Sequence, residues 1–388
     1  MRTSLLRIGR ALGACALAAT AVAVGGAVQA GPAAAATGWE VAQLEPLVEG
    51  DITTVYDINE SGVAVGDSEF LPVLWEADGD VVGLPLPQGY VAGIAVALND
   101  QSQIVGAVFD DEGNERAVYW SGGTPTLLGA NDVLVAIGAG GVMLGFDVSA
   151  YDPETDCCIS TFVHAISGQR VTLPPSTGWL VFPSALTNNG VVVGTAFNDT
   201  TAVGIGWYQQ YVFPIGGTGS AFLQPMDVIG APAVLAVRDD GAGASSVLVN
   251  RTGQVFPLAH PSPIDFAVDL NDHGVAVGAG GSSFDEAPEV GRLYAYGSAI
   301  SLDSLVDPAS HASYDLHDPI ALNNAFWIVG NSQDGSSWLL RPASGLPSTG
   351  FAAASVHTPD HEPAPGHRGE RPLPVEPELG WQTAHATP

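Results

Sequence analysis

Lysine is absent from this sequence, and its 11 arginines are opposed by 41 aspartates and glutamates, so the formal net charge is −30. Proteins bind nucleic acids and anionic lipid surfaces chiefly through Lys and Arg side chains. We therefore expect no nucleic-acid partner and no attachment to an anionic membrane surface. The excess of acid favours cations, basic partners or simple solubility instead.

Cysteine is scarce as well. Only three occur, and Cys15 lies in the N-terminal stretch described below, which leaves the adjacent pair Cys157 and Cys158. In an oxidising space this pair predicts a vicinal disulfide, although neighbouring Cα atoms lie only about 3.8 Å apart, below the usual disulfide range. Two free thiols are the alternative. No C-x-x-C or histidine pattern typical of a zinc site accompanies them.

Long hydrophobic runs are confined to the N-terminus. Arg2, Arg7 and Arg10 precede an apolar run over 11–28, and small residues around Ala30 or Ala36 offer a cleavage site. This pattern predicts a secretory signal peptide with a short linker over 1–36, hence an extracellular, secreted protein. No later segment has 18 consecutive apolar residues, so we expect no membrane span.

Common catalytic motifs are also missing: the sequence has no G-x-S-x-G, H-E-x-x-H or P-loop. Gly66-Asp67-Ser68 resembles a hydrolase nucleophile motif, but other repeat units carry unrelated residues at the same position. We therefore predict no nucleophile there. The sequence names no reaction, and whether the protein is an enzyme stays open.

What the sequence does contain is a repeat. A segment of about ten residues ends at Gly66, Gly106, Gly145, Gly194, Ala236, Gly278 and Gly330, in steps of 39 to 52 residues. Examples are ALNDQSQIVG, DLNDHGVAVG and ALNNAFWIVG. The fifth copy, VIGAPAVLA, reads as one residue short. This period is typical of a four-stranded propeller blade.

Each unit carries four strand signals, which in the second unit are GIAVAL, QIVGAVF, RAVYW and TPTLLG. Tetrads such as NESG and NDHG predict tight turns between the first two strands. The Gly within the second strand predicts close approach of a neighbouring blade. Strand alternation predicts that some of the third-strand aromatic side chains are buried between blades; these aromatics are Trp75, Tyr119, Trp120, Tyr294, Tyr296 and Trp338.

The last unit lacks a fourth strand, while residues 39–47 match the fourth-strand pattern and belong to no unit. We therefore predict an all-β, seven-bladed β-propeller over 37–343, with four-stranded blades, closed by this N-terminal strand. Residues 344–388 are rich in Pro, Ala and His and are predicted to be disordered. Leu346–Gly350 reads LPSTG, but the hydrophobic and basic parts of a cell-wall sorting signal are missing, so we do not expect anchoring.

The A-φ-N-x-x-G-x-φ-φ-G segment, followed by strands such as VYW or VHAI and then by an LLG-like strand, resembles the HAF repeat of bacterial extracellular proteins. The resemblance covers about residues 50–341, and His164-Ala165-Ile166 comes nearest to the repeat's His-Ala-Phe. It implies a secreted, propeller-like repeat protein. It implies no activity and no catalytic residues.

The loops between strands two and three share one face with the connections between units, and loops on a rigid scaffold commonly carry binding sites. This face is acidic and aromatic. Its ligand candidates are Tyr90, Asp110, Asp111, Glu112, Trp179, Phe222, His311, Tyr314 and His317. We expect a monomer that binds a glycan or a protein there without catalysis.

Three alternatives to this binding function remain. The protein could be a hydrolase or lyase that uses the rim histidines and carboxylates. A passive cell-envelope component would need no ligand at all. No cofactor is expected beyond Ca²⁺, for which carboxylate-rich loops offer oxygen ligands. The calcium candidates are Asp147, Asp152, Glu154 and Asp156.

Overall fold

A computed structural model describes residues 38–343 except 150–158, 165–167, 175–179, 189, 199–200, 209–210, 216–221, 230–232, 240–243, 251–252, 283–286, 296 and 308–313. Within these residues the protein is all-β, with 28 strands and two short 3₁₀ helices at Ala139–Gly141 and Leu302–Leu305. Neither helix is long or apolar enough to cross a membrane.

The strands form antiparallel four-stranded sheets that follow the repeat units. The first unit contains β2 (Thr53–Ile58), β3 (Ala64–Ser68), β4 (Leu71–Trp75) and β5 (Val81–Gly83). The second contains β6 (Ala92–Leu98), β7 (Ile104–Phe109), β8 (Glu115–Ser121) and β9 (Thr124–Leu127). The third contains β10 (Asp132–Ile137), β11 (Met143–Asp147), β12 (Ser160–His164) and β13 (Arg170–Thr172).

The later units repeat the pattern. The fourth contains β14 (Leu180–Leu186), β15 (Val191–Asn198), β16 (Thr201–Tyr208) and β17 (Tyr211–Pro214). The fifth contains β18 (Phe222–Ile229), β19 (Ala233–Asp239), β20 (Ala244–Asn250) and β21 (Val255–Pro257). The sixth contains β22 (Ile264–Leu270), β23 (Ala276–Gly281), β24 (Val290–Ala295) and β25 (Ser298–Ser301). A single parallel bridge, Ser245 to Asp265, joins the fifth and sixth units into one sheet.

The seventh unit combines both ends of the described chain. It contains β26 (Asp318–Leu322), β27 (Ile328–Asn331) and β28 (Ser337–Pro342), and its fourth strand is the N-terminal β1 (Trp39–Leu44). β1 runs antiparallel to β28, with Trp39 opposite Pro342 and Leu44 opposite Ser337. The unassigned N-terminal strand therefore pairs with the last unit, as its sequence pattern predicts.

The core lies between the sheets. Six of the buried hydrophobic clusters each join two units that are consecutive in the chain. A further cluster joins the seventh unit with the first. The predicted third-strand aromatics Trp75, Tyr119, Trp120, Tyr294 and Trp338 are all buried in these clusters. Tyr296 lies outside the described residues.

The second-strand glycine has another role than the one predicted. In every unit the first strand carries a β-bulge, for example between Ala95 and Ala97. In every unit except the fifth, which has Ala236, a glycine of the second strand faces the bulge. A Cβ on Gly106 would lie 2.0 Å from the carbonyl oxygen of Ile94, in the same unit. Gly66 and Gly278 face equivalent carbonyls. The prediction of a neighbouring blade at this glycine is therefore wrong, because the bulge pushes a carbonyl of its own unit there.

The fifth repeat is also not shortened. Asp227 pairs with Leu235 just beyond the bulge, in the same way that Asp57 pairs with Val65 and Asp269 with Val277. The fifth segment therefore begins at Asp227 and has its full ten residues. Sequence alignment missed this because neither the Asn nor the final Gly of the motif is present.

The asparagine that opens the turn tetrads makes two sets of hydrogen bonds. Asn59 Oδ1 accepts the backbone N–H groups of Ser61 and Val63, which closes the predicted turn. Its Nδ2 donates to the carbonyl of Asn99 in the next unit, and Asn323 Nδ2 donates to the carbonyl of Asn59. The tetrad thus joins neighbouring units as well as turning the chain.

Candidate functional site

The strand-two-to-three hairpins and the connections between units lie on one face, as predicted. Three backbone hydrogen bonds at the first two units show this. Glu69 N–H donates to the carbonyl of Ile52, Gly93 N–H to that of Phe70, and Val91 N–H to that of Phe109. We call this surface the loop face.

The Glu69–Phe70 turn is a tight hairpin on the loop face, and it connects β3 and β4. Ser68 pairs with Leu71, so the turn has two residues, and both take positive φ, 48° for Glu69 and 66° for Phe70. Such turns normally use Asn-Gly or Gly-Gly because a side chain at positive φ costs about 1–2 kcal/mol per residue. The first unit therefore holds two bulky residues in a strained conformation.

The surroundings keep this turn in place. The carboxylate of Asp67 is buried and accepts the Phe70 N–H at 3.1 Å. Burial raises the pKa of Asp67 to about 6, against the opposing effect of that hydrogen bond. The bonds to Ile52 and Gly93 fix the turn on both sides. Strain that the surrounding structure maintains is a feature typical of functional sites.

Three exposed apolar residues lie on neighbouring segments here. Ile52, Phe70 and Val91 are 54%, 50% and 58% exposed, and the backbone bonds described above bring their segments together. Val48 and Leu71 are further exposed apolar residues of the same segments. We call Ile52, Phe70 and Val91 the Phe70 patch. Contiguous exposed apolar surface marks interaction sites in soluble proteins.

An acidic rim surrounds the Phe70 patch. Asp51 closes the turn after Val48, and the Glu69 side chain reaches the backbone N–H of Ile52 at 3.5 Å. The acidic loop that follows Phe109 adds Asp110, Asp111 and Glu112. Residues 39–115 contain no Lys, Arg or His.

The predicted ligand residues at this end of the loop face have different roles. Tyr90 is partly buried and packs against the core cluster between the first and second units. Asp110 organises its own loop: its Oδ2 accepts a hydrogen bond from the Asn114 side chain, and its Oδ1 accepts the backbone N–H groups of Asn114 and Glu112. These bonds hold the pKa of Asp110 below the usual value. Asp111 and Glu112 are exposed.

A second group of predicted residues lies in the connection between the sixth and seventh units. His317 Nδ1 lies 2.8 Å from Asp315 Oδ1, and its Nε2 lies 3.7 Å from Asp303 Oδ2. Asp315 also binds the next hairpin through Gln333 N–H. Tyr314 packs against the core cluster of these two units.

Of the remaining predicted residues, the structure describes Asp147 and Phe222. Asp147 pairs with Arg170 at 2.7 Å, and this pairing with the Ser149 hydrogen bonds outweighs burial and lowers its pKa. Phe222 begins β18. Trp179, His311, Asp152, Glu154, Asp156, Cys157, Cys158 and Leu346–Gly350 lie outside the described residues. Among the described residues no three His, Cys, Asp or Glu side chains are placed to share a metal ion.

Ser68 of the Gly-Asp-Ser motif is fully buried, and its Oγ accepts the backbone N–H of Leu47. It is therefore a structural residue, which agrees with the prediction from the repeat. An apolar cleft of about 250 Å³ between the third and fourth units includes Trp207 and Tyr208 in its lining but none of the predicted ligand residues.

Three aspartates form a group that the sequence argument did not identify. Asp57, Asp227 and Asp269 open the ten-residue segment in units one, five and six, where the other units have Ala. Each carboxylate accepts a backbone N–H from the next unit, at 2.9, 3.0 and 2.6 Å. The alternation of Ala and Asp at this one position was the signal that was overlooked.

These carboxylates are partly accessible yet closely surrounded by protein. Burial raises the pKa of Asp57 to about 7. Burial, and then the charge of the hydrogen-bonded Asp269, raises the pKa of Asp227, and burial raises that of Asp269. Because each of these three carboxylates already accepts a backbone hydrogen bond from the next unit, the three aspartates hold neighbouring units together.

We expect the protein to be more stable at pH 5 than at pH 8. The folded-state pKa of Asp57 lies above the unfolded value of about 3.9. The contribution of Asp57 to the free energy of unfolding is therefore fully present below about pH 4 and is lost as the pH rises through about 7. The loss amounts to roughly 1–3 kcal/mol after allowance for the partial exposure of the side chain. Thermal melts from pH 4 to 8 measure this.

Asp57→Asn should make that pH profile shallower, because one of the titrating groups is gone; the raised pKa values of Asp67, Asp227 and Asp269 leave part of the slope in place. Asp110→Asn is the control, since the pKa of Asp110 is lowered and lies below this range. A profile equally steep in wild type and Asp57→Asn would show that other groups, and not this carboxylate, set the pH dependence.

Comparison with known proteins identifies the fold. No protein-family model matches the sequence, and neither does any curated protein sequence. Virginiamycin B lyase from Staphylococcus aureus has a similar structure, with a TM-score of 0.52 at 9% identity, covering 78% of this chain and 99% of that one. An oligogalacturonate lyase in complex with manganese gives 0.53 at 13% identity, over 78% and 93%. At such identities the similarity shows the fold alone: the chain has a β-propeller-like, all-β architecture.

Proposed function

We propose that this chain is a secreted, closed, seven-bladed β-propeller of the HAF-repeat type that acts as a non-catalytic binding module through its loop face. Closure is supported by the strands themselves. Each first strand contacts the first strands of the units before and after it, and β26 contacts β2. The core cluster between the seventh and first units and the pairing of β1 with β28 support the same arrangement.

The Glu69–Phe70 turn carries the binding proposal. Its backbone is strained, its aromatic side chain is half exposed, and its surroundings hold it rigidly. A rigid exposed aromatic side chain loses little conformational entropy on binding and is typical of interface hot spots. A solvated surface without a ligand gives no reason to keep Glu-Phe where Asn-Gly would be more stable.

We expect the double variant Glu69→Asn/Phe70→Gly to be more stable than wild type and to bind its ligand more weakly. Relief of backbone strain should add about 1–2 kcal/mol of stability. The same change should weaken ligand binding more than about tenfold. The measurement is a thermal melt of each protein, followed by screening on a glycan array and a displayed peptide library.

Phe256→Ala, which removes an exposed aromatic ring from β21, is the matched control and should bind as wild type does. The proposal would be overturned if every ligand found bound equally well without Phe70. It would also be overturned if no ligand were found, and that result would favour a passive envelope component. A ligand that is consumed, with consumption lost in His317→Ala, would favour an enzyme that uses the His317 group.

A further inference from the structure

The Phe70 patch also indicates what kind of partner it binds. We propose that its ligand is a basic polypeptide segment with apolar anchor side chains; this inference rests on the proposed function of the same site. The partner is recognised by two independent properties of the surface, its charge and its apolar composition.

Charge is the first property. No basic residue occurs between residues 39 and 115, so nothing in this part of the chain neutralises the acidic rim. Glu49, Asp51 and Glu69 lie beside Ile52 and Phe70, and the loop of Asp110–Glu112 adjoins Val91. A surface of one sign attracts a partner of the opposite sign and accelerates its association. The complementary partner carries Lys or Arg.

Composition is the second property. Two of the three patch residues are aliphatic, and the flanking Val48 and Leu71 are aliphatic as well. The turn's backbone donors are already used, since Glu69 N–H binds Ile52 and Phe70 N–H binds Asp67. The exposed side chains of the rim are carboxylates, which offer a glycan hydrogen-bond acceptors and no donors. Aliphatic surface instead suits the apolar side chains of a polypeptide.

The charge and the apolar composition of this surface have separate roles in binding. Glu49, Glu69, Asp111 and Glu112 of the rim are exposed, so their attraction is long-ranged and weakened by salt. The apolar patch supplies the contact that loses water when the anchors dock. A ligand that has only one of these features should bind much more weakly than one that has both.

The experiment uses three fluorescein-labelled peptides and fluorescence anisotropy with the mature protein. The first contains leucines flanked by arginines, the second has Glu for every Arg, and the third has Ser for every Leu. We expect the first to bind at least about tenfold more tightly than either counterpart, and to weaken about tenfold or more between 50 mM and 500 mM NaCl.

Variants locate the binding. Phe70→Ala and the triple variant Glu49→Gln/Asp51→Asn/Glu69→Gln should each reduce affinity for the first peptide at least about fivefold. The matched control is Glu76→Gln/Asp78→Asn/Asp80→Asn, which removes three exposed acids from the β4–β5 hairpin at the opposite end of the same sheet. It should change affinity less than about twofold.

Equal losses in both triple variants, or full binding of the Ser peptide, would show attraction by overall charge and overturn the inference. A neutral glycan that binds in a Phe70-dependent way while the Arg-Leu peptide does not would refute the basic partner and leave the binding function standing. No Phe70-dependent binding of any probe would refute both.

Discussion

Removal of residues 37–48 is expected to abolish the cooperative thermal unfolding of the domain, or to lower its melting temperature by more than about 15 °C. β1 contributes six residue pairs to the sheet of the seventh unit. Trp39 and Leu44 are 9% and 2% exposed, and each packs into a different core cluster. Loss of these side chains and of the strand ladder approaches the whole stability of a typical domain, about 5–15 kcal/mol.

The deletion also exposes the edge of β28, so aggregation should accompany unfolding. Two substitution pairs within β1 separate side-chain packing from strand removal. Trp39→Ala/Leu44→Ala should be strongly destabilising, whereas Glu40→Ala/Gln43→Ala, at two exposed positions of the same strand, should be nearly neutral. A synthetic peptide of residues 37–48 should raise the melting temperature of the deleted protein. An unchanged melting temperature in the deletion variant would refute closure by β1.

Gly106→Ala is expected to lose about 1–3 kcal/mol of stability, although the fifth unit accommodates Ala236 opposite its own bulge. Each neighbour that an added Cβ would meet is backbone: the carbonyl group of Ile94 and the Cα of Ala95. Backbone in a bulge cannot rotate away as a side chain can, so β6 and β7 must separate and weaken their ladder. Chemical denaturation of the purified variant measures the loss.

Gly83→Ala is the matched control. Gly83 lies in β5, and a Cβ there would meet only the Leu47 side chain at ordinary distances of 3.5 and 3.7 Å. This substitution should be neutral or slightly stabilising, since Ala restricts the unfolded chain more than Gly does. Similar losses in both variants would show that the strand glycines matter for another reason than the bulge.

The repeat pattern was enough to place most strands. The second unit's four predicted segments correspond to β6 through β9, and the predicted N-terminal strand corresponds to β1. Alternating burial and turn residues act over a few positions, so they can be recognised in one sequence. The bulge was not predicted, because one extra residue in a strand leaves the apolar pattern almost unchanged.

The candidate site was predicted in outline only. The alternation of hairpins and connections along the sequence predicted that the site lies on the loop face. Two of the predicted ligand residues, Tyr90 and Asp110, lie next to the Phe70 patch. Phe70 itself was overlooked, because nothing in the letters Ser-Glu-Phe-Leu indicates a two-residue turn at positive φ. That conformation depends on Asp67, Ile52 and Gly93, which lie in three different segments.

The sequence by itself determined the unit, its four strands, the third-strand aromatics and the acidic surface, because each depends on residue type and short spacing. Only the tertiary structure decided which exposed apolar residues lie near one another. It also decided which aspartates accept backbone hydrogen bonds from the next unit, and which backbone carbonyl lies against each second-strand glycine. These features arise where segments distant in sequence meet, and desolvation and hydrogen bonding there depend on the assembled neighbours and not on the residue alone.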